Sequence, residues 1–79
     1  MKSDEIRNKL GDIAREVFDD EGLEVTDMLS REDVESWDSL GHIRLIAAVE
    51  EVFKMSFTID EIEGVNSIGQ IVQVITERA

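Results

Sequence analysis

A small all-α bundle of four helices, three longer and a short third one, is predicted by three observations. Apolar residues recur at helical spacing in three separate segments, no segment alternates as a strand would, and the chain is only 79 residues long. That length implies a single domain over residues 1–79, near the size at which one core is only just sufficient. With no cysteine, no proline and one histidine, neither disulfides nor thiolate metal sites can reinforce the fold, so apolar packing must hold it. A hydrophobic content of 42% is adequate for that and too high for a disordered acidic tail.

Ile6, Leu10, Ile13 and Val17 fall at i, i+4, i+7 and i+11, and Ala14 and Phe18 widen the stripe. This predicts a first helix from about Ser3, as its N-cap, to about Phe18. Asp19-Asp20-Glu21-Gly22 should end it, with glycine taking the left-handed turn. No sustained period follows until Asp38. So long a loop needs anchors, for which Leu23, Val25, Met28, Leu29, Val34 and Trp37 are the candidates. Periodicity returns after Asp38 and holds through Phe53, giving a second helix. Thr58 and Glu61 form a capping-box pattern at the start of the short third helix, which Gly64 stops. Asn66 or Ser67 caps the last helix, where Ile68, Ile71, Val72 and Ile75 recur at helical spacing and Arg78 sits near the negative end of the dipole.

On a helical wheel, Leu45, Ile46, Val49, Val52 and Phe53 form the expected core arc of the second helix. Gly41, Arg44, Ala48 and Glu51 are expected opposite the centre of that arc. Leu40, Ile43 and Ala47 form a separate apolar stripe, which in so small a bundle is expected to meet a partner. Immediately before it stands Ser36-Trp37-Asp38-Ser39-Leu40. A serine hydroxyl at a helix start lies beside unpaired backbone N–H groups and the positive end of the dipole, an environment suited to a phosphate ester. Serine is also a common capping residue, so this position alone does not assign a function.

Asp38-Ser39-Leu40, opening an amphipathic helix that ends in Glu50-Glu51-Val52-Phe53, resembles the acyl carrier protein family. The similarity extends over nearly the whole chain: an apolar-striped first helix, a long anchored loop, the Asp-Ser-Leu helix, a short acidic third helix and an apolar last one. The resemblance implies a non-catalytic carrier with 4′-phosphopantetheine joined to Ser39 by a phosphodiester, flanked by Asp38 and Leu40. The arm's thiol then bears acyl groups, which accounts for a carrier with no cysteine of its own. A phosphopantetheinyl transferase would install the arm. Acyltransferases, ketosynthases or acyl-activating ligases would be the clients. The resemblance implies that clients meet Leu40, Ile43 and Ala47, ringed by Glu50, Glu51, Asp60, Glu61 and Glu63. Ile46, Val49, Phe53, Ile68, Ile71 and Val72 are the candidates to line an acyl cleft. Fatty-acid-synthesis carriers commonly have acidic residues directly after Asp-Ser-Leu and three positions later, where this chain has Gly41 and Arg44. That departure suggests a specialised freestanding carrier, with Arg44 on the partner surface. An aminoacyl or peptidyl carrier has a similar bundle and is the nearest alternative.

Other readings account for less of the sequence. Ser39 with His42 as base would suggest a hydrolase, but no nucleophile elbow is present and a hydrogen-bonded, partly buried histidine explains the same residue. The acidic run Asp19, Asp20, Glu21, Glu24 and Asp27 fits no calcium-loop pattern, so no metal site is expected. An acidic adaptor that blocks a basic surface would explain the charge but not Asp38-Ser39-Leu40. The formal charge of −11 opposes nucleic acid and anionic membranes and favours basic protein partners. Without an apolar leader or a membrane-length apolar run, a cytoplasmic monomer is expected.

Overall fold

Helices α1 (Ser3–Val17), α2 (Ser39–Phe53), α3 (Ile59–Gly64) and α4 (Ile68–Arg78) follow one another in the predicted order. The structure is a computed structural model in which residues 2–78 are described. Among them the only β-type pairing is an isolated antiparallel bridge between Ser30 and Ser67. No helix in this region is long and apolar enough to cross a membrane.

The predicted stripe of α1 turns inward: Ile6, Leu10 and Ala14 are fully buried, and Ile13 nearly so. They meet Leu45, Ile46 and Val49 of α2 and Ile68, Ile71, Val72 and Ile75 of α4 in one continuous core. Burying each such aliphatic side chain contributes about 1.5–3 kcal/mol. Phe18, Trp37, Phe57 and Val65 close the core from the connecting segments. Helix α1 packs against both α2 and α4. Helix α3 buries none of its own residues completely and is held between the buried Phe57 and Val65.

Several ends differ from the sequence expectation. Ser3 is the first helical residue of α1, and Lys2 occupies the N-cap without a side-chain bond. A serine there finds Asp4 and Glu5 already complementing the dipole. Asp19, not Gly22, adopts the left-handed conformation after α1. Its N–H donates to Glu16 O at 3.2 Å, and Asp20 N–H to Arg15 O at 2.9 Å, so a Schellman turn with aspartate in the glycine position ends the helix. Lys54, also left-handed, ends α2, where its own N–H and that of Met55, at 3.1 Å, both donate to Glu50 O. The α3 capping box forms as predicted, Thr58 Oγ1 accepting from Glu61 N–H and Glu61 Oε1 from Thr58 N–H. Of the two cap candidates for α4, Ser67 takes the part, its Oγ accepting from Gln70 N–H at 3.3 Å.

The 21 residues between α1 and α2 are anchored in two ways. Leu23, Val25, Leu29 and Val34 pack partly buried on the core, and Trp37 is 2% exposed. Met28, expected among these anchors, is 87% exposed. It lies in the turn that delivers backbone carbonyls to α4, which turns its side chain away from the core. There Asp27 O accepts from Gly69 N–H and Leu29 O from Ile68 N–H, both at 2.9 Å. Two N–H groups that an isolated helix start would leave unpaired are thus answered by the loop.

Candidate functional site

Asp38 is the N-cap of α2, its Oδ1 accepting from Gly41 N–H at 2.8 Å. Ser39 is therefore the first helical residue and its side chain is not needed as a cap. It is exposed, and its hydroxyl makes no hydrogen bond among the described residues. The N–H groups of Ser39 and Leu40 also lack acceptors there. The site thus combines an uncommitted hydroxyl with two free amide donors at the positive end of a four-turn helix. Gly41 is buried, and a Cβ at that position would lie 2.1 Å from the carbonyl oxygen of Ser36. The loop crosses the helix so closely that only glycine fits. Gly41 therefore does not belong to the outer face of α2, where the wheel put it; its absent side chain is a packing requirement.

His42 is 4% exposed, the one buried polar side chain among the described residues. Its Nδ1 accepts from Trp37 Nε1–H at 2.8 Å, and its Nε2 lies 2.7 Å from Ile62 O. Because an indole N–H only donates and a carbonyl only accepts, the pair selects the neutral Nε2–H tautomer. Both ring nitrogens are committed, so His42 cannot take a proton from Ser39 in this arrangement. The hydrogen-bonded histidine anticipated from sequence is what the structure contains.

Beyond Ser39, Leu40 and Ile43 are 59% and 55% exposed, and Ala47 is exposed on the same stripe. Ile59 of α3, 74% exposed, adds an apolar side chain that the sequence analysis did not single out. Ile59 stands three residues before the half-buried Ile62, a spacing that gave no sign of its exposure.

No family model matches the chain, and no curated protein matches it. Solved structures do. The solution structure of a holo acyl carrier protein from Geobacter metallireducens superposes with a TM-score of 0.82 at 31% identity, covering 89% of this chain and 80% of that one. This chain belongs to the acyl carrier protein family. A chain from Mycobacterium tuberculosis assigned as an acyl carrier protein shares the fold with a TM-score of 0.85, at 14% identity over 94% of this chain and 99% of that one.

On this acyl carrier fold the remaining candidate residues divide by their bonds. Glu50 is half-buried, with Oε2 accepting from Phe57 N–H at 2.7 Å, and so pins the α2–α3 connection. Glu61 is occupied by its capping box and by Arg78, which also donates to Ser56 O at 2.6 Å. The Thr58 N–H and then the Arg78 guanidinium hold the Glu61 carboxyl below the usual range. Glu51, Asp60 and Glu63 are exposed and form no ion pair among the described residues, nor does the exposed Arg44. Ile46, Val49, Ile68, Ile71 and Val72 sit together in the core, each at most 5% exposed, with Phe53 half-buried at its edge. Val52, expected in the core arc, is 47% exposed in a shallow groove between α1 and α2 lined also by Ile13, Val17 and Ala48. Conversely Ala48, expected opposite the core, is half-buried against it. The outer stripe itself therefore takes the position opposite the core. Among the described residues no cluster of three or more His, Asp or Glu side chains is arranged to hold a metal ion.

Proposed function

We propose that this carrier bears acyl groups as thioesters on a 4′-phosphopantetheine arm attached to Ser39, and hands them to the enzymes of a dedicated biosynthetic pathway. The observation that carries this reading is the exposed, unbonded Ser39 hydroxyl at the capped start of α2, in a chain of this family. In the loading step the Ser39 oxygen forms a P–O bond to the β-phosphorus of coenzyme A. The pyrophosphate link breaks, 3′,5′-ADP leaves, and the hydroxyl proton passes to a base on the phosphopantetheinyl transferase. The Ser39 and Leu40 N–H groups face the added anion, and Asp38 keeps the helix start in place. When attached, the arm supplies the thiol that the sequence lacks.

Leu40, Ile43, Ala47 and Ile59 offer apolar contact to acyltransferases, ketosynthases or acyl-activating ligases, while Glu51, Asp60 and Glu63 complement basic rims. Charges of this kind speed encounter and select partners more than they add affinity, as brief docking requires. Arg44, where related carriers commonly hold an acid, supports a specialised client such as a polyketide, modified-lipid or surface-polysaccharide enzyme. Acyl chains would enter between α2 and α4 only if the lining side chains move apart, because they are packed against one another. A cytoplasmic, monomeric carrier suits this role.

Intact mass after incubation with coenzyme A and a broad-specificity transferase tests the reading. One arm should be added to the wild type and none to Ser39→Ala. Absence of modification by several transferases would overturn it. The thioester found on protein isolated from its native cell identifies the cargo and separates acyl from aminoacyl carriage.

A further inference from the structure

The only histidine and the only tryptophan of the chain are bonded to each other across Ser39. Trp37 lies two residues before the serine and His42 three residues after it. The opposite edge of the same ring reaches α3. The Ile62 carbonyl is among the last four of α3, which no intrahelical N–H can satisfy, and the His42 Nε2–H answers it from α2. Helix α3 has few other means of fixing its orientation. It is six residues long, too short to be stable alone, and none of its residues is fully buried. Phe57 and Val65 tether its two ends, Ile62 packs half-buried on the core and Arg78 holds Glu61. The His42 bond is its direct polar link to the helix that bears the serine.

We propose that His42 is a positioning residue of the carrier site: its ring holds the Trp37 approach to Ser39 and the exposed face of α3 in one arrangement, which the phosphopantetheinyl transferase binds as a unit. This rests on Ser39 being the attachment residue. The two edges of the ring can be separated by substitution. His42→Gln retains a donor near the Nε2 position for Ile62 but offers no acceptor to Trp37. His42→Asn retains an acceptor near the Nδ1 position for Trp37 but is too short for Ile62. His42→Ala retains neither, and Trp37→Phe removes the donor that fixes the tautomer together with part of the buried ring that packs on Phe18.

Initial rates of arm transfer from coenzyme A, measured against carrier concentration, should show KM raised about fivefold or more in His42→Ala and His42→Asn, with kcat within about twofold of wild type. His42→Gln should recover most of that KM. The single indole N–H resonance should shift in His42→Gln and His42→Ala and hold its place in His42→Asn. Trp37→Phe, with α3 still bonded, should raise KM about two- to threefold. Wild-type KM in folded His42→Asn and His42→Ala overturns the proposal. Should those variants fail to fold, an unchanged KM in Trp37→Phe overturns it instead. If the wild type is not modified, or Ser39→Ala still is, the attachment reading fails; a modified wild type with indifferent His42 variants sinks the positioning role alone.

Discussion

Gly41 and Gly64 are both helical glycines, and their surroundings predict opposite outcomes for alanine. At Gly41 the new Cβ would stand 2.1 Å from a backbone oxygen, so the Ser36–Asp38 segment or the start of α2 must move. Overpacking of this kind costs about 1–3 kcal/mol. At Gly64 no heavy atom lies within 4 Å and the backbone has no positive φ. There alanine should stabilise by about 0.4–1 kcal/mol, because the unfolded chain loses freedom. Urea midpoints of the two variants, moving in opposite directions, check both expectations. His42→Ala belongs to the same scale. It leaves the Trp37 indole N–H buried without an acceptor, so a loss of about 1–3 kcal/mol is expected in the same assay.

At the scale of elements, two ion pairs tie segments that packing alone would leave loose. Arg7 of α1 donates through Nε to Asp27 Oδ1 at 2.7 Å and through Nη2 to Oδ2 at 2.9 Å, fixing the turn whose carbonyls cap α4. The Arg7 hydrogen bonds hold the Asp27 carboxyl below its ordinary range, and the same bonds move Arg7 upward. Glu61, lowered by the Thr58 N–H and by Arg78, ties α3 to α4. Carboxyls lowered on folding stabilise the native state above their unfolded values near pH 4, and that contribution disappears as pH falls through the lower folded values. The contribution of these two pairs should therefore be level near neutral pH and be lost in acid. Asp27→Asn should reduce that loss, a difference visible in thermal unfolding at pH 3 to 7. Both pairs are exposed to solvent, so concentrated salt should shrink the difference.

For the whole molecule, 19 acidic against 8 basic side chains oppose folding through self-repulsion. Raising the ionic strength from about 0.01 to about 0.5 M shortens the screening length from about 30 Å to a few ångströms. That change spans the molecule's 28 × 25 × 21 Å extents. The melting temperature should rise over this range, even though the individual ion pairs weaken. A flat or falling curve would mean that local pairs outweigh net repulsion.

Helix order, the α3 capping box, the Trp37 anchor and Ser39 at the head of α2 could all be read from the sequence, because periodicity and capping are local properties of neighbouring residues. The family followed from Asp38-Ser39-Leu40 together with helix order and length. Tertiary structure alone decided the rest. A wheel assigns faces but does not know where the neighbouring helix diverges, so Val52 was expected in the core although it lies exposed beside α1. Composition counts carboxylates without their partners. Only the fold shows that Glu50 and Glu61 are committed internally while Glu51, Asp60 and Glu63 remain outward. Gly41 looked like a missing surface charge until a carbonyl arriving from Ser36 filled the space. His42 had a position in sequence, but its bonds to Trp37 and to Ile62, 20 residues further on, exist only once the loop, α2 and α3 have met.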